Sequence, residues 1–419
     1  MLLVHLEKNS PRARYIVRHV CERMLGWPVS FAASLEEFRS AQGSKLSYGS
    51  TPIDGAFHVK DSDPLDRNDA SALDHFASPD RFDVFAAAFF LLSLADEYTI
   101  EDRDLHGRIP ATSLTIVKKG MERMPVVDQW ALELADGLRE RFPALPLPTR
   151  TYRHTLTVDV DNGLKYIGRP VHRAMGASVK DLLRVDLPAL RDRWRVRSGG
   201  ARDPYFGSAD ALASASLNVD RAIAFFLVKS DGRFDHAASM DHPAYRELVQ
   251  TVSRCATVGL HPSYESRERN ELIAQERDRL ASTTGRVPTL SRQHFLRWEL
   301  PRTFRALIAS GFTEDHSIGF TDRAGFRAGT CTPFPWYDLE REEEMSLLLH
   351  PFACMDSALC EKMNMSATQA TMEMKRMSDA VREVNGTFVS VWHDRYLSGY
   401  REFKSWPQAM LELVQHARA

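Results

Sequence analysis

The stretch Thr155-Leu-Thr-Val-Asp-Val-Asp-Asn162 joins an apolar run to a pair of carboxylates. Residues 155–160 are rich in β-branched side chains and indicate a buried strand. Asp159 and Asp161 stand two positions apart, so on a strand they share one face. Two carboxylates that close repel each other unless a cation or an arginine offsets their charge. The pair is therefore either a metal ligand beside a general base, or a loop that uses Asp and Asn as turn residues.

Short apolar runs like this one recur along the rest of the chain, with helical periodicity between several of them. Further strand-like runs are 223–228, 257–261, 289–295, 316–320, 346–350 and 387–392. Strands that alternate with helices predict a parallel α/β sheet or barrel. In such folds the chemistry lies at the carboxyl ends of the strands, which directs attention to polar residues there.

Three further runs end in candidate site residues. His261 is a possible metal ligand or a structural histidine, and Glu265 could approach the same centre if the segment turns helically. Arg292 could pair with the acidic residues or form an ordinary rim salt bridge. His393 beside Trp392 suits a general acid walled by an apolar surface, because histidine titrates near neutral pH. The alternative is a packed tryptophan with a solvent-facing histidine.

Three prolines mark a boundary between two parts of the chain. Pro143, Pro146 and Pro148 cannot continue a helix and indicate an extended linker. We therefore divide the chain into a smaller N-terminal α/β domain of unknown role, residues 1–148, and a second α/β domain, residues 149–419. In the first, Ser10 is a candidate cap for a helix that begins at Pro11.

Composition excludes several classes of protein. The 419 residues carry 54 Lys and Arg against 56 Asp and Glu, a net charge of −2, which argues against nucleic acid as a partner. No apolar run approaches the roughly 20 residues of a membrane span. The N-terminus lacks the features of a secretory signal. Five scattered cysteines without a CxxC pair favour a reduced, cytoplasmic protein with buried thiols. Oligomeric state is not encoded in any pattern of the sequence.

The ordered motifs resemble the polysaccharide deacetylases of the NodB-homology type, which remove N-acetyl groups from amino sugars. The motifs that carry the resemblance are Thr157-Val-Asp-Val-Asp161, Gly259-Leu-His-Pro262, Arg292 and Trp392-His393. Segments 291–296 and 325–330, with His106-Gly-Arg108, are similar to a bacterial subgroup that adds an N-terminal α/β domain. The resemblance implies a distorted (β/α) barrel in residues 149–419.

The same resemblance implies roles for individual residues. Asp159 would be the general base, Arg292 would hold it in its charged form, and His393 would protonate the leaving amine. Asp161 and His261 would bind a divalent metal, zinc by default, with manganese or cobalt also compatible. Trp336, Tyr337, Trp392 and His294 are candidates for binding the carbohydrate substrate.

One position departs from the family pattern. The second histidine of the second motif is replaced by Glu265. Either Glu265 serves as the third ligand, or another group such as His294 does, or water completes the sphere. The departure leaves two hypotheses: a metal-dependent deacetylase, or a catalytically degenerate carbohydrate-binding or assembly protein on the same fold.

Overall fold

The computed structural model describes residues 1–61, 65, 73, 82–169 and 171–418. The strands are β1 Leu2–Leu6, β2 Val29–Phe31, β3 Lys45–Gly49, β4 Phe57–Lys60, β5 Arg153–Val160, β6 Arg221–Phe226, β7 Thr257–Leu260, β8 Leu290–Ser291, β9 Glu314–Asp315, β10 Phe334–Asp338, β11 Glu343–Leu349, β12 Cys354–Met355 and β13 Thr387–His393. The helices are α1 Pro11–Arg18, α2 Leu35–Ser40, α3 Val84–Leu92, α4 Asp96–Thr99, α5 Thr115–Lys118, α6 Val126–Arg141, α7 Val171–Leu183, α8 Leu187–Arg197, α9 Phe206–Ser216, α10 Pro243–Val252, α11 Glu271–Thr284, α12 Arg302–Ala309, α13 Ala367–Glu383, α14 Asp394–Leu397 and α15 Trp406–Arg418.

The first sheet has four parallel strands in the order β2-β1-β3-β4. Alternate residues of β1 are buried, so one of its faces packs on the core. As predicted, α1 begins after Ser10, whose side chain accepts a hydrogen bond from the Ala13 amide. This cap satisfies one of the free amides of the first helical turn and fixes where the helix starts.

The second sheet has nine strands in the order β10-β11-β9-β8-β7-β6-β5-β13-β12. Every neighbouring pair is parallel except β10 with β11. The α/β class and the parallel sheet expected from the sequence are present. The distorted barrel is shown only in part: over the described ranges, β10 and β12 are sheet edges that do not pair with each other, so the strands do not form a closed ring. The sheet still brings the carboxyl ends of its parallel strands to one side, as the site requires.

Helix α3 connects the two sheets. All nine of its residues are buried, because they are apolar on every side. The Phe89 ring lies 6.0 Å from the Tyr15 ring of α1 and 5.1 Å from the Tyr337 ring of β10. The proline-containing segment 143–148 lies between α6 and β5, where the sequence places the boundary. Buried apolar side chains from residues 1–148 and from residues 149–419 belong to one core cluster, so the two parts pack against each other.

Two further expectations concern the surface and the thiols. Within the described ranges, no helix combines the length and the apolar character that a bilayer crossing requires. The five cysteines are free thiols, and Cys21, Cys331 and Cys354 are buried.

Candidate metal centre and active site

The carboxyl ends of β5, β7, β8 and β13 bring five of the predicted site residues together. β13 pairs with β5 in a register that sets His393 opposite Asp159. Asp161 follows β5 directly, His261 follows β7, and Arg292 follows β8. Residues separated by up to 234 positions in sequence thus meet at one end of the sheet, because parallel strands share their polarity.

Asp159 and Arg292 form a buried ion pair. Arg292 Nη1 donates to Asp159 Oδ1 at 2.7 Å and to Thr157 Oγ1 at 2.8 Å. Its Nε donates to the His316 carbonyl at 2.9 Å, and the side chain has no exposed surface. The charge-assisted contacts fix the orientation of the Asp159 carboxylate.

Asp161, His261 and His294 form a group that could hold a metal ion. One potential ligand atom from each lies within 4.8 Å of the others. Asp161 Oδ1 is 3.3 Å from His261 Nε2 and 3.7 Å from His294 Nε2. Ligand atoms at about 2.0–2.1 Å from a tetrahedral zinc ion stand about 3.3–3.4 Å apart, so the spacing is close to that of a metal site.

The hydrogen bonds behind the two histidines orient them for metal binding. His261 Nδ1 donates to the Arg292 carbonyl, and His294 Nδ1 lies 2.8 Å from Asp235 Oδ1. A carbonyl only accepts, so the proton of neutral His261 sits on Nδ1 and Nε2 keeps its lone pair. A carboxylate or carbonyl behind a histidine is the usual support of a metal ligand.

The electrostatics around Asp161 also fit a cation. Its Oδ1 is buried without a well-formed hydrogen bond. Burial alone would raise the pKa of Asp161, but His261, His294 and His393 outweigh it and hold the pKa far below its usual range. The pKa of His261 is raised, since Asp159 and Asp161 outweigh its burial. A buried, ionised oxygen between two imidazoles is the donor set that a divalent metal needs.

Glu265 does not join this group, contrary to its assignment as a third ligand. Lys229 Nζ donates to Glu265 Oε2 at 2.6 Å, and the glutamate side chain is 42% exposed. After His261 the chain passes through a proline into a short 3-10 turn, Tyr264–Arg267, so Glu265 is not one α-helical turn from the histidine. His294, assigned to the substrate and named as the alternative ligand, lies in the group with Asp161 and His261 instead.

His393 is held by a carboxylate that the sequence did not single out. His393 Nδ1 lies 2.5 Å from Asp356 Oδ1, and the His393 amide donates to Asp356 Oδ2 at 2.7 Å. Burial lowers the pKa of His393, but the Asp356 charge and hydrogen bond, with Asp161 and Asp159, raise it to about 9. The imidazole is therefore a cation at neutral pH in the metal-free protein.

The three aromatic residues assigned to the sugar site belong to the core. Trp336, Tyr337 and Trp392 are at most 1% exposed. The Trp336 ring packs against Phe304, that of Tyr337 against α1 and α3, and that of Trp392 against Trp406. Their hydrophobic burial stabilises the fold, and it leaves no face for a sugar.

The cavity beside the candidate metal ligands Asp161 and His261 has a volume of about 250 Å³. Its lining includes Asp159, Asp161, His261, Gln293, Phe295, Met355, Lys362 and Arg395, together with His106 and Arg108 from the N-terminal part. Arg108 Nη1 donates to the Phe295 carbonyl at 2.9 Å, and Arg297 Nε donates to the His106 carbonyl at 2.7 Å. The segment 104–108 thus forms one wall of the pocket.

Sequence reasoning missed Asp235 and Asp356, the carboxylates behind His294 and His393. Asp356 follows the two-residue strand β12, which is too short to give a period-two pattern. Asp235 lies outside any strand or helix. For Asp356 the available signal was position alone, since it follows the apolar run 351–355, whereas Asp235 follows Gly232-Arg-Phe234 and carried no such signal.

A second group of possible metal ligands lies elsewhere in the second sheet. Glu314 Oε2 is 3.3 Å from His316 Nε2 and 3.2 Å from His350 Nε2. The same oxygen accepts a hydrogen bond from Arg221 Nη1 at 2.8 Å. The guanidinium already neutralises Glu314 and would repel a metal ion, so we interpret this group as a partly buried ion-pair cluster.

Comparison with known proteins gives remote likenesses. A profile of a family of unknown function (DUF7033) matches residues 2–143. No curated protein matches the chain. Similar solved structures include a candidate polysaccharide deacetylase from Mycobacterium smegmatis, with 14% identity and a TM-score of 0.42 over 66% of this chain and 87% of that one. Another, from Pseudomonas aeruginosa PAO1, has 11% identity and a TM-score of 0.38 over 64% and 90%. A family 4 carbohydrate esterase from Streptomyces lividans, in complex with acetate, has 14% identity and a TM-score of 0.29 over 50% and 81%.

Proposed function

We propose that the chain is a metal-dependent hydrolase that removes N-acetyl or related acyl groups from amino sugars of a polysaccharide or its precursor. The observation that carries the proposal is the group Asp161, His261 and His294 beside two oppositely charged residues, Asp159 and His393. Amide hydrolysis needs a base for water and an acid for the departing amine.

The residues divide the reaction between them. Asp161, His261 and His294 would hold the cation, zinc by default, which would polarise an acyl carbonyl and acidify a water molecule. Asp159, oriented by its hydrogen bond from Arg292, accepts the proton of the attacking water. His393 carries a proton and donates it to the amide nitrogen as the C–N bond breaks, which yields a free amine and a carboxylate.

The alternative, a degenerate carbohydrate-binding protein, was motivated by the missing second histidine. His294 provides an imidazole near Asp161 and His261 that the motif lacks. This geometry weakens the motive for the alternative and favours the enzyme.

The experiment is an assay of the full chain on N-acetylglucosamine oligomers. We expect acetate and free amine in equal amounts, loss of activity after chelation, and recovery when zinc is restored. Asp159→Asn should lower kcat by about 10²–10⁴-fold without loss of bound metal, because a general base contributes about that much. Glu265→Gln is the matched control and should retain activity. Oligomer binding without acetate release under all metal conditions would support the alternative.

A further inference from the structure

The hairpin of α7 and α8 carries a concentration of exposed apolar side chains. Of the fifteen large apolar residues that are exposed in the described chain, seven lie between positions 175 and 194. They are Met175, Val179, Leu182, Leu183, Val185, Leu187 and Trp194, with exposed fractions between 55% and 80%. Contiguous exposed apolar surface of this kind marks a contact site with another molecule or with a membrane.

These side chains follow helical spacing. Met175, Val179, Leu182 and Leu183 stand at positions i, i+4, i+7 and i+8 of α7, which places them on one face. In α8 the same spacing relates Leu187, Arg191, Trp194 and Arg195. Each helix therefore presents one outward stripe, apolar on α7 and mixed apolar and basic on α8.

The charge exposed on the hairpin is positive. Arg184, Arg191, Arg195 and Arg197 are exposed, and none of them has a carboxylate partner among the residues that the structure describes. The acidic side chains of the hairpin form ion pairs or hydrogen bonds with neighbouring residues instead. Asp181 pairs with Arg193 at 2.5 Å, Asp186 pairs with Arg401 at 2.6 Å, and Asp192 accepts from Tyr400 Oη at 2.5 Å.

The hairpin lies at the site's end of the second sheet. Asp192 and Asp186 of the hairpin contact Tyr400 and Arg401, which lie in the segment that follows β13. The Arg193 guanidinium also lies 4.9 Å from the Tyr166 ring centre, just after β5. The outward stripes are therefore held near the carboxyl ends of the two strands that supply the base and the acid.

We propose that the α7–α8 hairpin is a surface anchor for a bilayer with anionic headgroups. Apolar side chains with tryptophan and arginine at their edge are the composition of helices that lie in the membrane interface. Free arginines attract anionic lipids, and their stems and the Trp194 ring can stay at headgroup level. Two copies of the positive face would repel each other, so the charge favours a membrane over a second copy of this chain.

The test is vesicle binding by the full chain, and it does not depend on enzymatic activity. Vesicles of phosphatidylcholine alone are compared with vesicles that also contain phosphatidylglycerol. We expect sedimentation with the anionic vesicles, weakened by salt, and a blue shift of tryptophan emission. Trp194 is the reporter because it is 71% exposed, whereas the other six tryptophans are at most 8% exposed.

Variants separate the contributions of charge and apolar surface. Arg191→Gln with Arg195→Gln should weaken binding by about thirtyfold, given about 1 kcal/mol for each interfacial arginine. Leu182→Asp with Leu183→Asp should weaken it by more than about tenfold, because two leucines no longer enter the bilayer. Leu217→Asp is the control: Leu217 is 83% exposed but lies outside the hairpin, and its change should have no effect.

Two outcomes would overturn the proposal. One is no binding to anionic vesicles at low salt by wild-type protein. The other is a wild-type dimer that Leu182→Asp with Leu183→Asp converts to monomer, because a second copy would then cover the face. Trp194→Phe should abolish the emission shift while sedimentation persists, which would identify Trp194 as the reporter.

Discussion

At the scale of single residues, Asp356 sets the charge of His393. The Asp356 carboxylate is fully buried and contacts both the ring and the amide of the histidine. A neighbouring negative charge favours the protonated imidazole, so the pKa of His393 rises to about 9 in spite of burial. In the proposed mechanism Asp356 is therefore a positioning residue that keeps His393 protonated for its role as general acid.

Asp356→Asn should shift the alkaline limb of the kcat/KM profile to lower pH. Without the Asp356 carboxylate, the strongest influence that opposes burial is gone, so the pKa of His393 falls and the proton is lost earlier as pH rises. The measurement is the pH dependence of acetate release with metal in excess. Asp379→Asn removes a carboxylate 2.7 Å from His416 Nε2 elsewhere on the protein and should leave the profile unchanged. An alkaline limb that does not move in Asp356→Asn would assign the titration to another group.

We predict opposite effects on metal binding for substitutions of His294 and of Glu265. His294→Ala should weaken zinc binding by more than about a hundredfold, and Asp235→Asn by about 10–100-fold, since it supports the ring from behind. Glu265→Ala should bind normally, because that carboxylate pairs with Lys229. The measurement is zinc titration of chelator-treated protein. The reverse ranking of the His294 and Glu265 variants would return Glu265 to the site.

At the scale of elements, the segment 104–108 forms a wall of the pocket although it precedes the second sheet in sequence. Arg108 is anchored by Asp104 at 2.6 Å and by the Phe295 carbonyl, next to the possible ligand His294. Arg108→Ala should raise KM about tenfold through lost contacts and a loosened wall, while zinc affinity stays within twofold, or about 0.4 kcal/mol. Arg341→Ala, which removes an arginine that is 52% exposed and remote from the pocket, is the control. If Arg108→Ala lowers zinc affinity as much as it raises KM, the segment supports the candidate metal ligands rather than the substrate.

The sequence was sufficient to bring together those candidate site residues that lie at or directly after the strands. Asp159, Asp161 and His393 are each at or directly after an apolar run, and parallel strands bring such positions together. His294 lies instead in a sharp loop in which Phe295 has a φ of 59°. A left-handed residue breaks periodicity, so the direction of the neighbouring histidine could not be obtained from spacing.

The differences between the predictions and the structure have a common physical origin. Trp336 and Tyr337 belong to β10, the strand that packs on the N-terminal helices, and aromatic composition does not distinguish such a core from a sugar platform. The barrel expectation depended on the pairing of two strands that are both hydrogen-bonded only on one side. The location of these aromatic residues and the closure of the sheet both depend on which distant segments meet. Local sequence patterns do not contain that information.

At the scale of the whole molecule, Asp128 ties the N-terminal part to the rest. This buried carboxylate of α6 accepts from Arg150 at 2.5 Å, from Thr330 at 2.7 Å and from the Cys331 amide at 3.0 Å. Burial raises the pKa of Asp128, but Arg150 and the hydrogen bonds outweigh it and lower the pKa overall. The contacts cross the boundary at residues 143–148, so the two parts should unfold as one unit.

Asp128→Ala should destabilise the protein by about 3–5 kcal/mol, because it leaves the Arg150 charge buried without its partner. Since the pKa of Asp128 is lowered by folding, its contribution is present above the ordinary carboxyl range and is lost as pH falls through the folded pKa. Asp128→Asn should therefore flatten the loss of stability at acid pH. Denaturant unfolding followed by tryptophan fluorescence and circular dichroism is the measurement, with Asp136→Ala on the same helix as control. Two separate transitions in the wild type would contradict a single unit.

The contacts of Asp128 also constrain how the protein is made. Its partner Thr330 is 202 residues further along the chain. At about 5–20 residues per second, a ribosome needs roughly 10–40 seconds to reach that partner. During this interval the first sheet has emerged, but the outer side of α3 and the Asp128 carboxylate still await the residues that will bury them. Nascent chains that stall within this window should be substrates for chaperones, and slow translation of residues 150–330 should lower the yield of folded protein.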